Sequence, residues 1–548
     1  MIGFGTMRIR ITGCVNVVAV SLAVVLCPCA ASGGLPDGGR IETADLCFAA
    51  QQLHARVTHL GGGEDTVDSL FLGWFDRPYA RATLAVAVKT TAVMRREARL
   101  RELGNGAICD DILRSLLGWT QSALTRVVVP ERHAGFRPHR IEIDRDNLLA
   151  GTRNPPLLAF LDRATTTRLD PTFGDLDMLA ALGMRVYARE SRFAGNAAEQ
   201  TRIVRRASDL GLAVVFVETS AELPPKASSL SGPVVVHPLT LRELVDKPAE
   251  LRRDTSSDLR TVEATVSPQN GETWVSSLAR RAIARGCSLS GRFAVCDWSE
   301  PWEYQSMANR LQATSSWMWI DAVEGLSLGI VSGWRDLRDG SVPVCPSVFL
   351  DPKTAEAIAH TSLDMLRTWD SLAGFTVHCP VVLLVDNEAI DPKNDNRWAF
   401  WARRFFEGLC DRQIAFDIIP YQGAEARLDG GQYKVVFRMT REHASDVQDA
   451  VRRVEDSLLN HSTGVSRVTV HEPDGRLAGD VWIRSGKTLT GATCVAVANL
   501  SGNRRILGLR GLFETTGVQD VVSGEGMGRP ARPFAMDAWQ VRVLIPVD

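Results

Sequence analysis

Apolar and polar positions change their spacing several times along the chain. From 44 to about 132 the spacing is helical, as in RATLAVAVKTTAVMRREARLREL, where apolar and basic residues separate onto different faces. From 140 to 334 short β-rich runs alternate with amphipathic segments: PPLLAFLD, MRVYARES, LAVVFVETS, PVVVHPL, TVEATV, RFAVCDWSE and LSLGIVSGW, with helix candidates NAAEQTRIVRRASDLG and WVSSLARRAIARG between them. Such alternation predicts parallel strands joined by crossover helices. These seven strands, with HRIEID (139–144) as an eighth, fill the span of one (β/α)8 TIM-like barrel. The gap between HRIEID and PPLLAFLD is short for a crossover helix.

A predicted helix, DPKTAEAIAHTSLDMLRTWDSLAG, closes that region, and the pattern begins again. PVVLLVDN leads to a helix with Trp398, Trp401, Phe405 and Leu409 on one face; AFDIIP, YKVVFRM, a helix carrying Val447, Ala450, Val451, Val454 and Leu458, and RVTVH follow. Four strands with interleaved helices predict a small open α/β sheet, too few to close a barrel. From about 480 the helical period gives way to alternation with period two, punctuated by Gly and Asn, which predicts a β-sandwich. The α/β chain thus divides into 1–32, a signal segment; 41–135, helical; 136–376, barrel-like; 377–475, an open α/β domain; and 478–548, β-sandwich.

Composition narrows the partners. The 548 residues carry a formal charge of -2 with 45% hydrophobic residues and no long basic run, so neither nucleic acid nor an anionic membrane is indicated. The N-terminus sets Arg8 and Arg10 before an apolar run from Val15 to Leu26 and small residues near Ala30, the order of a secretory signal. A secreted or periplasmic protein is expected, with a retained signal anchor as the alternative, and no later segment is long enough to span a membrane. Of eight cysteines beyond that segment none forms a CxxC pair, so no zinc site is expected. Cys287 and Cys296 fit either a local disulfide or buried thiols.

The Asn-Glu pair in PVVLLVDNEAI (380–390) raises the question of whether Glu388 is a catalytic acid, with Glu472 after RVTVH as its partner. The link from AFDIIP to YKVVFRM is about as short as a parallel crossover allows, and no helix after DVWIR would close a ring. That strand therefore opens a separate α/β unit, and Asp386 to Glu388 form its strand-end loop.

From about Ser315 onward the chain resembles the family 42 glycoside hydrolases, β-galactosidase-like enzymes with a barrel, a flavodoxin-like trimerisation domain and a small C-terminal β-domain. SSWMWIDAVEGLSLGIVSGWRD is similar to the family's last barrel helix and strand, where an aromatic-Arg pair ends the strand; Trp334 and Arg335 stand there. PVVLLVDNEAI, IAFDIIPYQGAEARLDGGQYKVVF and VAVANLSGNRRILGLRGLFETTGVQDVVSGE resemble the trimerisation domain and the tail. FGDLDMLAALGMRVYARES and RIVRRASDLGLAVVFVETSAELPP are similar to the second and third barrel strands. The resemblance implies a carbohydrate substrate and a trimer. The family presents an Asn-Glu acid on strand four, whereas between Leu223 and Val266 this chain has no Asn-Glu.

A retaining glycosidase needs two carboxylates about 5 Å apart, at the C-terminal ends of barrel strands. Glu300, closing RFAVCDWSE, suits the nucleophile, and Trp298 and Trp302 offer indole faces to a pyranose ring. Ser299 and Pro301 beside Glu300 equally fit a helix N-terminus. Glu218, ending LAVVFVE, is the candidate acid if HRIEID is strand one; on strand three it would lie too far round the ring. Glu190 is weaker. Trp334 and Arg335 complete the candidate sugar contacts. His237 reads as a core histidine, Asp170, Asp175 and Asp177 as residues at a helix start rather than a calcium site, and no metal, nucleotide or other cofactor is expected.

Overall fold

The apolar runs form the strands they predict wherever the computed structural model describes them. The described residues are 40–61, 77–106, 108–129, 157–162, 173–190, 197–217, 234–239, 259–262, 274–287, 293–296, 310–331, 351–372, 375–377, 379–386, 397–421, 424, 428, 433–440, 446–460, 467–488, 491–511, 517–529 and 532–547. The segment HRIEID lies outside them.

Three helices come first: α1 (Thr43–Gly61), α2 (Pro78–Glu102) and α3 (Asp110–Arg126). Leu46, Ala50, Leu53 and Val57 of α1 are buried at helical spacing. Pro78 opens α2, where its missing N–H is harmless, and Arg99 and Arg101 lie in its last turn against the negative end of the helix dipole. Arg101 also holds the three helices together, donating to Asp110 at 2.6 Å and to the carbonyls of Ile41 at 3.0 Å and Ile108 at 2.9 Å.

Seven parallel strands follow: β1 (Leu157–Asp162), β2 (Val186–Glu190), β3 (Ala213–Val217), β4 (Val234–Leu239), β5 (Leu259–Val262), β6 (Phe293–Cys296) and β7 (Leu326–Val331). The fifth was expected at 261–266 and begins two residues earlier. Helices α4 (Phe173–Ala181), α5 (Ala197–Asp209), α6 (Trp274–Cys287) and α7 (Arg310–Glu324) provide crossovers, and α8 (Pro352–Leu372) follows β7. The spatial order is β5-β4-β3-β2-β1-β7-β6. Every strand except β6 therefore neighbours its predecessor in sequence, and the first pairs with the last, Ala159 opposite Ile330. The edge strands β5 and β6 bring Cα atoms within 8 Å of one another, although no ladder joins them among the described residues.

Both faces of this sheet are covered, which is why its strands read as nearly continuous apolar runs. Leu158, Tyr187 and Val214 join the cluster formed with the helices. On the opposite face Ala159, Val186, Ala188, Val215, Leu328 and Ile330 are each at most 1% exposed.

After β8 (Thr376–Val377), strands β9 (Val381–Val385), β10 (Phe416–Pro420) and β11 (Val435–Arg438) make a three-stranded parallel sheet of order β10-β9-β11. Helices α9 (Arg397–Asp411) and α10 (Val447–Asn460) pack beside it, with Gly408 leaving room for Val451. In α9 the buried stripe is Trp398, Ala402, Phe405 and Leu409; Trp401 is only half-buried.

The expected fourth strand of this sheet is a correction. β12 (Thr469–His471) instead pairs antiparallel with β15 (Arg505–Arg510), because Val468 and Val470 pack into the C-terminal apolar cluster with Leu507 and Leu509. That cluster lies among two antiparallel sheets, β12-β15-β18 and β17-β16-β19-β14-β13-β8. The remaining strands are β13 (Val481–Lys487), β14 (Thr493–Asn499), β16 (Gly517–Asp520), β17 (Glu525–Gly528), β18 (Phe534–Met536) and β19 (Val541–Val547).

Candidate functional site

Because β1 to β7 are parallel, their C-terminal ends lie on one side of the sheet. The chain leaves β3 at Val217 directly into Glu218. It leaves β6 at Cys296, four residues before Glu300, and β7 at Val331, three before Trp334. Glu218, Trp298, Glu300, Trp302, Trp334 and Arg335 themselves lie outside the described residues, as does Glu388. What the topology fixes is the strand preceding each of them.

Glu218 follows the third strand of the sheet. In the order of the sheet the strand before Glu218 and the strand before Glu300 are four places apart, counted through β1. Register adds two acidic positions at the same side: Asp162 stands opposite Arg189 and Glu190 opposite Val217. Asp162 was not singled out in the sequence, where it is simply the last letter of an apolar run.

The helices on either side of β6, α6 and α7, carry the most highly charged buried region of the described residues. Arg281 of α6 pairs with Asp321 of α7, with neither side chain more than 1% exposed, and its guanidinium lies 4.4 Å from the Trp317 ring centroid. Arg285, one turn on, pairs with Glu324 of α7, reaches Asp417 of β10 at 2.5 Å and donates to the Phe416 carbonyl at 2.8 Å. From β13, Arg484 meets Glu324 at 2.8 Å and the Trp482 indole N–H donates to the same carboxylate at 2.8 Å. Tyr433 completes Asp417 at 2.8 Å. Three arginines thus face three carboxylates. Burial works against the Arg285 charge, but Asp417 holds its pKa above the ordinary arginine value. For Arg484 burial prevails, and its pKa is pushed down to about 10. Sequence reading missed this network because its members sit singly in amphipathic segments that read as solvated faces.

Gly286 lets α6 sit against the edge of the small sheet: a Cβ there would run into the Ile418 carbonyl oxygen. The edge strand β10 is covered by a helix in this way.

Asp177, within α4, accepts from Arg206 of α5 at 2.8 Å. His237 lies on β4 opposite Arg260. No cluster of His, Cys, Asp or Glu suited to a metal occurs among the described residues, and no helix among them is long and apolar enough to cross a membrane. Cys379 and Cys410 are free thiols whose pKa values burial pushes up to about 12. The side chains of Cys287 and Cys296 lie outside the described residues.

No family model matches the chain, and no curated protein matches it. Among solved structures it is similar to an exo-carrageenase of glycoside hydrolase family 42 from Bacteroides ovatus, at 9% identity and a TM-score of 0.45, over 92% of this chain and 99% of that one. It is also similar to a cold-adapted β-galactosidase from a Rahnella species (10% identity, TM-score 0.35, 67% and 68% of the two chains). A third is a β-galactosidase from the haloarchaeon Halorubrum lacusprofundi (13%, 0.31, 68% of each).

Proposed function

We propose that the chain is an exported glycoside-hydrolase-like protein that acts on β-linked glycosides by a retaining mechanism with two carboxylates. In this reading the seven strands belong to a closed barrel and Glu300 attacks the anomeric carbon. Glu218 protonates the leaving oxygen, and Trp298, Trp302, Trp334 and Arg335 contact the sugar. The observation that carries the reading is the strand order, in which the first strand pairs with the last. A sheet whose first strand pairs with its last, and whose edge strands approach each other, has the connectivity of a ring. Closure between β5 and β6 would put the strands before Glu218 and Glu300 three places apart, which would let the two carboxylates face each other across its mouth.

The test is hydrolysis of aryl β-glycosides. Glu300→Ala is expected to reduce turnover to near the uncatalysed rate, and azide, a small nucleophile suited to the vacated space, to restore it. Unchanged turnover in the variant removes Glu300 from the mechanism. The sequence resemblance supports a trimer as well, which a single-chain mass in light scattering would refute.

A second reading has its own support. The missing Asn-Glu between Leu223 and Val266 favours a degenerate carbohydrate-binding or assembly protein on the same scaffold. Its mark is oligosaccharide binding in a calorimeter with no hydrolysis over days.

A further inference from the structure

Helix α2 ends in the sequence Leu103-Gly104-Asn105-Gly106. Gly104 takes a left-handed conformation, φ 74°, which stops the helix at Glu102. Its N–H donates to the Arg101 carbonyl at 3.0 Å, and the Asn105 N–H donates to the Leu100 carbonyl at 2.8 Å, so the last carbonyls of α2 are capped. The hydrogen bonds of the turn stop there. Among the described residues the Gly106 N–H and the Asn105 carboxamide take part in none, and both residues are exposed.

An exposed asparagine followed by glycine is chemically reactive, because no Cβ on the glycine hinders the approach of its backbone nitrogen to the asparagine side chain. Hydroxide takes the Gly106 amide proton, and the nitrogen bonds to Asn105 Cγ. The carboxamide C–N bond breaks, ammonia leaves with a proton from water, and a five-membered succinimide remains. Water then opens the ring at one of its two C–N bonds. Opening at Cγ gives aspartate in a normal chain; opening at the backbone carbonyl gives isoaspartate, with the chain running through Cγ.

The surroundings decide what either product does. Gly106 lies against the stem of Arg101: a Cβ there would sit 2.6 Å from Arg101 Cγ and 3.0 Å from Glu97 Oε1. Arg101 reaches Asp110 and the carbonyls of Ile41 and Ile108, and Asp110 also accepts from the Ile41 N–H at 3.0 Å. Both products bring a carboxylate to the C-terminal end of α2, where the helix dipole already disfavours negative charge and where Glu97 and Asp110 already pair with Arg101. Isoaspartate in addition lengthens the backbone beside Arg101.

We propose that Asn105–Gly106 is a site of spontaneous deamidation by water, and that conversion there loosens the tie by which Arg101 holds α1 and α3 to α2. The site does not depend on the sugar-cleaving proposal.

The experiment ages the full folded chain at pH 8, beside chain unfolded in guanidinium chloride, and follows the peptide bearing Asn105 by mass spectrometry and chromatography. A gain of one dalton and two separable products are expected, at a rate within about tenfold of the unfolded chain, since an exposed turn opens at little cost in free energy. Asn105→Gln is expected to stop the conversion and to keep the Tm of fresh wild type, whereas aged wild type shifts to lower Tm. A folded chain that keeps its mass while the unfolded chain converts overturns the site. An aged wild type that has gained the dalton yet melts with fresh protein overturns the loosening. The other Asn-Gly pair, Asn270–Gly271, is retained in Asn105→Gln, so an equal fall in Tm on ageing both proteins also overturns the assignment to Asn105.

Discussion

Two groups of buried arginines in this protein make opposite use of the same side chain. At the junction of α6, α7, β10 and β13, Arg281, Arg285 and Arg484 meet Asp321, Glu324 and Asp417, one carboxylate for each guanidinium. At the start of β2, Arg185 has a single long contact to a backbone oxygen and a second arginine for company. Burial alone therefore does not tell whether a charge holds the fold together. The neighbours decide.

Breaking the balanced group should have the largest effect. Glu324→Ala leaves Arg285, Arg484 and the Trp482 indole without their shared acceptor, and about 3–5 kcal/mol of stability should be lost, as for other broken buried pairs. Urea unfolding measures it, and a loss under about 1 kcal/mol would mean the junction is not a strong tie. Gly286→Ala tests the same junction sterically. Its new Cβ meets a backbone oxygen that cannot rotate away, with an expected cost of about 1–3 kcal/mol. Arg185→Leu is the contrasting case. In chloride its unfolding midpoint should match or exceed that of wild type, because removing an uncompensated charge costs nothing in pairing.

The smallest effect concerns Glu356 on α8, which accepts from Thr83 at 2.7 Å, from Arg126 at 2.7 Å and from the Trp119 indole at 3.3 Å. Burial pushes its pKa up, but His360, Arg126 and Thr83 outweigh that and hold it below the ordinary glutamate value. A folded pKa that is lowered gives stability that is present above the unfolded value and is lost as pH falls through the folded one. Arg126 is half-exposed, so the contribution should stay under about 1 kcal/mol. Urea midpoints of wild type and Glu356→Gln across the acid range check it; parallel curves would show that Glu356 carries none of the pH dependence.

The seven parallel strands were legible because strands buried on both faces are written as apolar runs between breaks, and LLAFLD, AVVFV and LSLGIV need no knowledge of their partners to be seen. Pairing was less legible. RVTVH alternates like any short strand, and nothing in five residues says whether its valines meet a parallel neighbour or, as happens, Leu507 and Leu509. Thr376 and Val377 are too few to leave any period at all. The junction arginines were invisible for a related reason: an Arg on a helix or strand has the same letters whether its outer face meets water or another element. The candidate site was legible as letters at strand ends, Glu218 and Glu300 among them, and the structure contributes the order of the strands that deliver them.

The pairing of β8 and β12 has a consequence for how the chain is assembled. β8, just before the small parallel sheet, joins β13, and β12, just after it, joins β15. The span from 381 to 460 is thus threaded through the C-terminal strands as an insert whose two stems are anchored in the host. A truncation that removed the tail at 478 would strand both stems, whereas excising the insert and bridging its ends would leave the host strands with their partners.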